Sequence, residues 1–278
     1  REHLCSEAMH YLGIPTTRSL ALFNTGDLVL RDMLYDGNPD YEQGAIVCRV
    51  APSFIRFGNF ELFASRNEKE LLQQLVNYTV DTHFPEITTQ GVERVIQFFH
   101  AVMKKTLHLI IQWQRVGFVH GVMNTDNMSI HGITIDYGPY GWLDHFNPTW
   151  TPNTTDRHER RYRYENQPNS AVWNLIQLAN ALYMLVGDAK PFQDSIDNEL
   201  KLFQQNVNEM WNSKLGIQHF ENGDDKLTDR LHSLLYTHEV DMTIFYRLLS
   251  DFKETDAIDI KVLDHFEKAF YNKDLVFE

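Results

Sequence analysis

The sequence predicts an α+β fold, with a small sheet-containing region followed by a mostly helical one. Two observations support this prediction: candidate strands come early in the chain, and long apolar repeats at helical spacing come later. The change lies near residues 85–90, so we expect a first region at 1–87 and a second at 88–278. With 278 residues, the chain is long enough to bury a sizeable core.

The first region combines helices with antiparallel strands. A helix, "REHLCSEAMHYLGIP", has a single apolar stripe and ends at Gly13. A β-hairpin is predicted by two apolar runs, "RSLALFN" and "LVLRDM", joined by the turn "TGD", and "GAIVCRVA" is expected to be a third strand. A second helix, "NEKELLQQLVNYTVDTHF", should end before Pro85.

The second region begins with the longest periodic segment of the chain. Its apolar residues recur every three or four positions from Val92 to Trp113, and Gly117 ends the pattern, which predicts a core helix. Further segments with helical patterns follow, and they read "SAVWNLIQLANALYMLV", "NELKLFQQNVNEMWNSKL", "KLTDRLHSLLYT" and "MTIFYRLLSDF".

Composition excludes several kinds of partner. The net charge of -13 argues against a broad surface for nucleic acids or anionic membranes. No apolar run reaches membrane-spanning length and no signal peptide is visible, so we expect neither a membrane protein nor a secreted one. Cys5 and Cys48 have apolar neighbours and no metal-ligand spacing, which predicts two buried thiols.

The stretch "HGVMNTDNMSIHGITIDYG" contains the main candidate site. Met128–Ile130 and Ile133–Ile135 are expected to pair across a two-residue turn that ends in glycine. This register places Asn127 opposite Asp136, with their Cβ atoms about 5 Å apart. An amide oxygen and a carboxylate at that separation suit Mg²⁺, which accepts few protein oxygens and leaves positions for phosphate.

A simpler interpretation is that Asn and Asp merely cap the turn. The neighbouring Asp126, His120 and Gly138 favour a functional site instead. The order His, Asn, strand pair and Asp-aromatic-Gly resembles the catalytic loop of protein kinases. Kinases place their catalytic Asp where this sequence has Val122. His120 is expected to organise the loop by hydrogen bonding rather than to transfer protons.

Four longer strings define a more specific resemblance: "SEAMHYLGIPTTRSL", "RVAPSFIRFGNFE", "HGVMNTDNMSIHGITIDYGPYGWLD" and "YENQPNSAVWNLIQLANAL". Together they resemble the selenoprotein O family of protein adenylyltransferases, from residue 1 to about residue 186. The resemblance implies a protein-kinase-like fold, here a partial small lobe and a mostly helical lobe. It also implies transfer of AMP from ATP, bound in a flipped orientation, to Ser, Thr or Tyr hydroxyls of proteins.

The resemblance assigns roles to three residues of the loop. Asp126 would be the catalytic base, and Asn127 and Asp136 would bind Mg²⁺, with Mn²⁺ as an alternative. Asp136 would also lie near the nucleotide phosphates. Because Asp136 and Asp126 should repel each other without the metal, Asp136→Asn is expected to raise thermal stability.

Three residues from the first region complete the implied site. Arg49 and Arg56 would hold phosphates, and planar guanidinium groups suit this task because they match phosphate oxygens with two parallel hydrogen bonds. Arg49 also ends an apolar run, where a merely solvated charge is less expected. Glu2 would pair with the nucleotide-binding lysine of the small lobe.

Some functional alternatives stay open. The family's glycine-rich segment, its lysine and its C-terminal redox-active Cys or selenocysteine are not found in this sequence, so we expect a fragment of a larger protein. The chain could be a catalytically inert nucleotide-binding scaffold or an ordinary kinase that transfers the γ-phosphoryl group. The resemblance implies a mitochondrial location in a eukaryote and a cytoplasmic one in a bacterium.

Overall fold

A computed structural model describes residues 1–33, 36–217, 223–252 and 264–272. Its helices are α1 (Glu2–Tyr11), α2 (Phe57–Ser65), α3 (Lys69–His83), α4 (Gly91–Val116), α5 (Gln167–Val186), α6 (Lys190–Leu215), α7 (Asp224–Thr237) and α8 (Met242–Leu249). Its strands are β1 (Arg18–Arg31), β2 (Asp40–Val50), β3 (Phe118–Val119) and β4 (Gly141–Trp142). Long strands precede long helices, so the structure has the expected α+β organisation, consistent with a partial kinase-like fold.

The predicted hairpin around "TGD" is wrong. This segment is a bulge inside β1, where the pairing with β2 shifts between Asn24 and Leu28. The Thr25 hydroxyl donates to the carbonyl of Gly44 and accepts from the amide of Asp27. Because the bulge satisfies its polar groups within the ladder, the strand continues, and the predicted third strand becomes β2.

The ribbon of β1 and β2 is accessible on both faces, and this corrects the prediction for one thiol. Cys5 is buried in the core, as expected, whereas Cys48 is exposed on β2. None of the described helices is long and apolar enough to cross a membrane.

Helix α4 is the centre of the core. The predicted helix is confirmed, with Phe98, Phe99 and Val102 fully buried. It ends at Gly117, whose φ of 70° is the left-handed conformation typical of a C-cap. Helices α5 and α6 pack against it, and α2, which the sequence analysis missed, packs against α5.

A hydrophobic cluster joins the two predicted regions. It contains Cys5 and Phe60 from the first region and Phe98 from the second. The two regions thus share one hydrophobic core, and their separation into domains at residue 87 stays a prediction.

The predicted pairing of Met128–Ile130 with Ile133–Ile135 is also wrong. The first segment pairs with residues at the start of α2, through a 3.1 Å hydrogen bond that the Phe57 amide donates to the Met128 carbonyl. The second pairs with residues that follow α1, through a 2.9 Å bond accepted by the Pro15 carbonyl. Both segments still bury their apolar side chains, because the residues after α1 and those at the entry to α2 supply the backbone partners that the hairpin would have supplied.

The turn between these segments lies directly against α4. Gly132 has a φ of 60°, and a Cβ added there would lie 2.4 Å from the backbone carbonyl of Lys105. A side chain at this position would therefore meet both an unfavourable backbone conformation and a rigid helix backbone.

We expect Gly132→Ala to lower the free energy of unfolding by about 2–4 kcal/mol, from left-handed strain and from overpacking. Gly187 is the matched control, since its φ is 74° but no atom lies within 4 Å of an added Cβ. Gly187→Ala should lose only the conformational part, about 1 kcal/mol. Urea unfolding followed by circular dichroism measures both changes. Equal losses would show that contact with α4 does not constrain the turn.

Candidate active site

Three of the predicted site residues, Glu2, Arg49 and Arg56, come from separate parts of the chain and form an ion-pair group with Asp136. Glu2 lies at the start of α1, Arg49 near the end of β2, and Arg56 at the N-cap of α2. Asp126 and its neighbour Asn127 lie in a short 3₁₀ turn. The structure brings these segments together through the contacts of two arginines.

Asp136 lies between the two arginines. Arg49 Nη2 is 3.2 Å from Oδ1 of Asp136, and Arg56 Nη1 is 2.6 Å from Oδ2. The side chains of Arg49, Arg56 and Asp136 are 19%, 28% and 23% exposed, so solvent screens these ion pairs only partly. Glu2 joins the group through a contact of 3.8 Å between its Oε2 and Nε of Arg49.

Two buried atoms at this ion-pair cluster have unused hydrogen-bonding capacity. The Arg56 contact is ionic but lacks hydrogen-bond geometry, so Asp136 Oδ2 has no donor among the described residues. Arg49 Nη1 likewise has no acceptor there. Buried polar atoms usually have hydrogen-bond partners, so these two atoms are candidates for contact with a ligand, an ion or water.

The backbone at Asp136 is held in an uncommon conformation. Its φ is 55°, in the left-handed region that Asp tolerates better than most residues. The amide of Gly138 donates to the carbonyl of Asp136 over 2.8 Å, which closes a tight turn. Tyr137, the residue between Asp136 and Gly138, is buried. Its hydroxyl contacts Thr16, and burial raises the pKa of that hydroxyl. These contacts fix the direction of the Asp136 side chain.

His120 organises the loop through hydrogen bonds, as expected. It is fully buried, and its Nε2 lies 2.9 Å from the carbonyl oxygen of Ile135. The amide of Val122 donates weakly to Nδ1 over 3.4 Å. Burial lowers the pKa of His120, so the ring is neutral and Nε2 holds the proton. This bond connects the start of the loop to the residue before Asp136.

The turn that contains Asp126 is anchored to α2. Thr125 donates to Glu61 Oε2 over 2.9 Å, and Arg56 Nη1 donates to the carbonyl oxygen of Asp126 over 2.7 Å. Asp126 itself is exposed, and its carboxylate lies against Gly58 in the first turn of α2. A single guanidinium nitrogen of Arg56 therefore contacts both the Asp126 backbone and the Asp136 side chain.

Asn127 does not face Asp136 across a hairpin, because no such hairpin forms. Its Nδ2 donates to the carbonyl oxygen of Val122 over 2.8 Å. This bond leaves the amide oxygen as its potential metal ligand. Among the described residues, no group of three or more His, Cys, Asp or Glu side chains could hold a metal ion. The metal-binding roles of Asn127 and Asp136 therefore stay predictions.

Sequence reasoning missed two residues that position the loop, Gly58 and Glu61. A Cβ on Gly58 would lie 1.9 Å from Oδ1 of Asp126, so only glycine allows the present contact. The available signal was an isolated glycine in "RFGNFE", a segment otherwise able to form a helix, since such a glycine often marks close packing. The bond from Glu61 to Thr125 had no sequence signal, because it joins residues far apart in the chain.

The fold and this site define a kinase-like protein, with a helical core, an Asp-Tyr-Gly segment and two arginines on its aspartate. The chain belongs to the SelO family, because the family described as "Protein adenylyltransferase SelO" matches residues 1–274. The resemblance inferred from the four strings is therefore confirmed.

Bacterial relatives named "Protein nucleotidyltransferase YdiU" are similar over nearly the whole chain. The protein of Flavobacterium johnsoniae is 55% identical over 271 residues, which cover 98% of this chain and 52% of the relative. The protein of Aromatoleum aromaticum is 53% identical, covering 98% and 51%. That of Rhodopirellula baltica is 52% identical, covering 100% and 54%. The chain thus spans about half the length of the curated relatives it matches.

Because of the Asp136 ion pairs, we now expect Asp136→Asn to lower the stability of the fold rather than to raise it. Removing the carboxylate charge leaves Arg49 and Arg56 close together, with only Glu2 among the described residues, 3.8 Å from Arg49, as a counter-charge. The free energy of unfolding should fall by about 1–3 kcal/mol at low salt, and the loss should shrink as ionic strength rises. Denaturant titrations at two salt concentrations measure both effects.

Asp194→Asn is the control for this substitution. Asp194 pairs with Lys190 on an exposed helix surface, so its loss should change stability by less than about 0.5 kcal/mol. A rise in stability for Asp136→Asn would restore the expectation that repulsion from Asp126 dominates.

Proposed function

We propose that the protein to which this chain belongs transfers AMP from ATP to Ser, Thr or Tyr hydroxyls of other proteins. The observation that supports this best is the convergence of Arg49, Arg56 and Asp136 in a chain of the SelO family. The names of the relatives, protein nucleotidyltransferases, agree with transfer of a nucleotide to protein. They do not specify the acceptor hydroxyl or the metal.

In the proposed reaction, the acceptor hydroxyl oxygen attacks the α-phosphorus of ATP. A bond forms between that oxygen and the α-phosphorus, the bond from the α-phosphorus to the bridging oxygen breaks, and diphosphate leaves. The hydroxyl proton passes to the carboxylate of Asp126. Asp126 suits this role because it is exposed, whereas Val122, at the place of the kinase aspartate, cannot accept a proton.

Arg49 and Arg56 are placed to bind the phosphate chain. Both guanidinium groups now contact the Asp136 carboxylate, and Arg49 Nη1 has no acceptor among the described residues. A phosphate group offers a second anionic partner for these donors. Charge develops on the phosphate oxygens during transfer, so fixed cations there stabilise the transition state more than the ground state.

The residues present fit a divalent cation. Asp136 Oδ2 is ion-paired with Arg56 but accepts no hydrogen bond from the described residues, and the bond that Asn127 Nδ2 donates leaves the amide oxygen as a potential ligand. Such a set of one carboxylate and one amide is ordinary for Mg²⁺, whose other positions are filled by phosphate and water. When bound there, Mg²⁺ or Mn²⁺ would supply further positive charge to the phosphates.

For the location of the protein, the relatives favour one of the two expected compartments. All three named relatives are bacterial, so we propose the bacterial cytoplasm. The mitochondrial expectation has no support from them.

The function is tested on the full-length protein with ATP labelled at either the α or the γ phosphate. We expect protein-bound label only from the α position. We also expect Asp126→Ala to lose transfer while it retains calorimetric binding of ATP with Mg²⁺, because a base acts on the acceptor hydroxyl. Asp136→Ala should lose both. Label from the γ position alone would favour an ordinary kinase, and ATP binding without any transfer would favour an inert scaffold.

Gly58→Ala tests whether α2 positions the proposed base. The added methyl group must displace the Asp126 carboxylate, so we expect transfer to fall by about 10–100-fold. The free energy of unfolding should change by less than about 1 kcal/mol, since Ala is the better helix former. Ser65→Ala, at the exposed far end of the same helix, is the control and should leave transfer unchanged. Full activity of Gly58→Ala would show that contact with α2 does not position Asp126 for transfer.

A further inference from the structure

A cavity of about 690 Å³ lies between the C-terminal ends of α4 and α6 and helix α8. It shares no residue with the candidate active site. Its volume is in the range of sites for small organic ligands and far exceeds what an inorganic ion needs. The cavity is therefore large enough for a second ligand of the protein.

The cavity is basic although the chain is acidic. Arg115, Lys214 and Arg247 line it, and no Asp or Glu does, in a chain whose net charge is -13. Within the described ranges, none of the three forms an ion pair. Uncompensated cations in a concave site attract anions.

Two of the cations are held in place by neutral groups. Lys214 Nζ donates to the carbonyl oxygen of Arg115 over 2.7 Å and lies 4.2 Å from the ring centre of Tyr246. Arg115 donates to Gln112 Oε1 and to the carbonyl oxygen of Leu12, each over 2.8 Å. Neither cation is fully exposed, so a merely solvated pair of charges does not explain their placement.

The two charges also oppose each other. Burial and the neighbouring Arg115 lower the pKa of Lys214 to about 8. A doubly charged anion would relieve both the repulsion and the loss of hydration, because it supplies the counter-charge that the described residues lack.

The remaining lining is largely apolar and aromatic. Trp142 and Tyr246 supply rings, and Val116 and Met210 supply aliphatic surface. Inorganic phosphate would leave this surface without a partner. A flat ring attached to the anion would cover it, and aromatic surfaces stack favourably on such rings.

We infer that this cavity binds a doubly charged organic phosphate that has an aromatic ring. Arg247 and Lys214 contact the phosphate group, with Arg115 behind them, and the ring packs against Trp142 and the side chain of Val116. Planar arginine groups pair with phosphate through two parallel hydrogen bonds, and the three cations of the cavity favour its double charge over the single charge of a carboxylate. The inference is independent of AMP transfer.

The test is a fluorescence titration of the full-length protein with 1-naphthyl phosphate, in the presence of saturating ATP and Mg²⁺ to fill the active site. We expect one saturable site. Arg247→Glu should weaken binding at least about tenfold, because it replaces an attractive charge by a repulsive one. Arg247 is exposed, so this variant should fold normally. Lys214→Met should weaken binding to a similar extent.

Arg230→Glu is the matched control, an exposed charge reversal on α7 that does not line the cavity, and it should leave the affinity unchanged. Inorganic phosphate and 1-naphthol, tested alone, should each bind more weakly than the complete probe. Equal affinities for Arg247→Glu and Arg230→Glu, or no saturation below about 1 mM, would overturn the inference. Neither outcome depends on transfer activity, so the two proposals can fail separately.

Discussion

The ion pairs of Asp136 with Arg49 and Arg56 are the contacts on which the arrangement of the site depends. Arg49 belongs to the strand ribbon, Arg56 to the start of α2, and Asp136 to the loop that follows the central helix. Partial burial makes these ion pairs stronger than surface ones, and the arginines offer donors that the aspartate does not use up. The same charges that hold the segments together are therefore available to a nucleotide.

Helix α2 couples the two halves of the proposed chemistry. Arg56, a proposed phosphate-binding residue, is its N-cap, and Gly58, against which the proposed base packs, lies in its first turn. One rigid element thus fixes the distance between the phosphate-binding group and the base. In protein kinases the base lies earlier in the loop, at the place that Val122 occupies here, whereas the proposed base of this chain lies in the later 3₁₀ turn.

The sequence predicted the long helices and singled out Arg49, Arg56 and Asp136, which the structure brings together, but it did not predict the backbone pairings. Helix α4 has a periodic pattern long enough to be unambiguous, and distinctive strings pointed to Arg49, Arg56 and Asp136. An alternating apolar run, by contrast, cannot show whether its partner is its neighbour or a distant segment. Met128–Ile130 pairs with residues at the entry to α2, and "TGD" forms a bulge because β2 continues beside it. Helix α2 was missed because nine residues with an early glycine give little periodic signal.

Helix α1 is fixed by an arginine at each end. At its start, Glu2 contacts Arg49, and at its end the carbonyl of Leu12 accepts a hydrogen bond from Arg115. The ten residues of α1 form a rod of about 15 Å. A rigid helix that moved along its axis would disturb both attachments, so its position depends on the contacts at both ends. A change in the contacts of either arginine would therefore alter the position of α1 along the helical core, and with it the contacts at the opposite end of the helix.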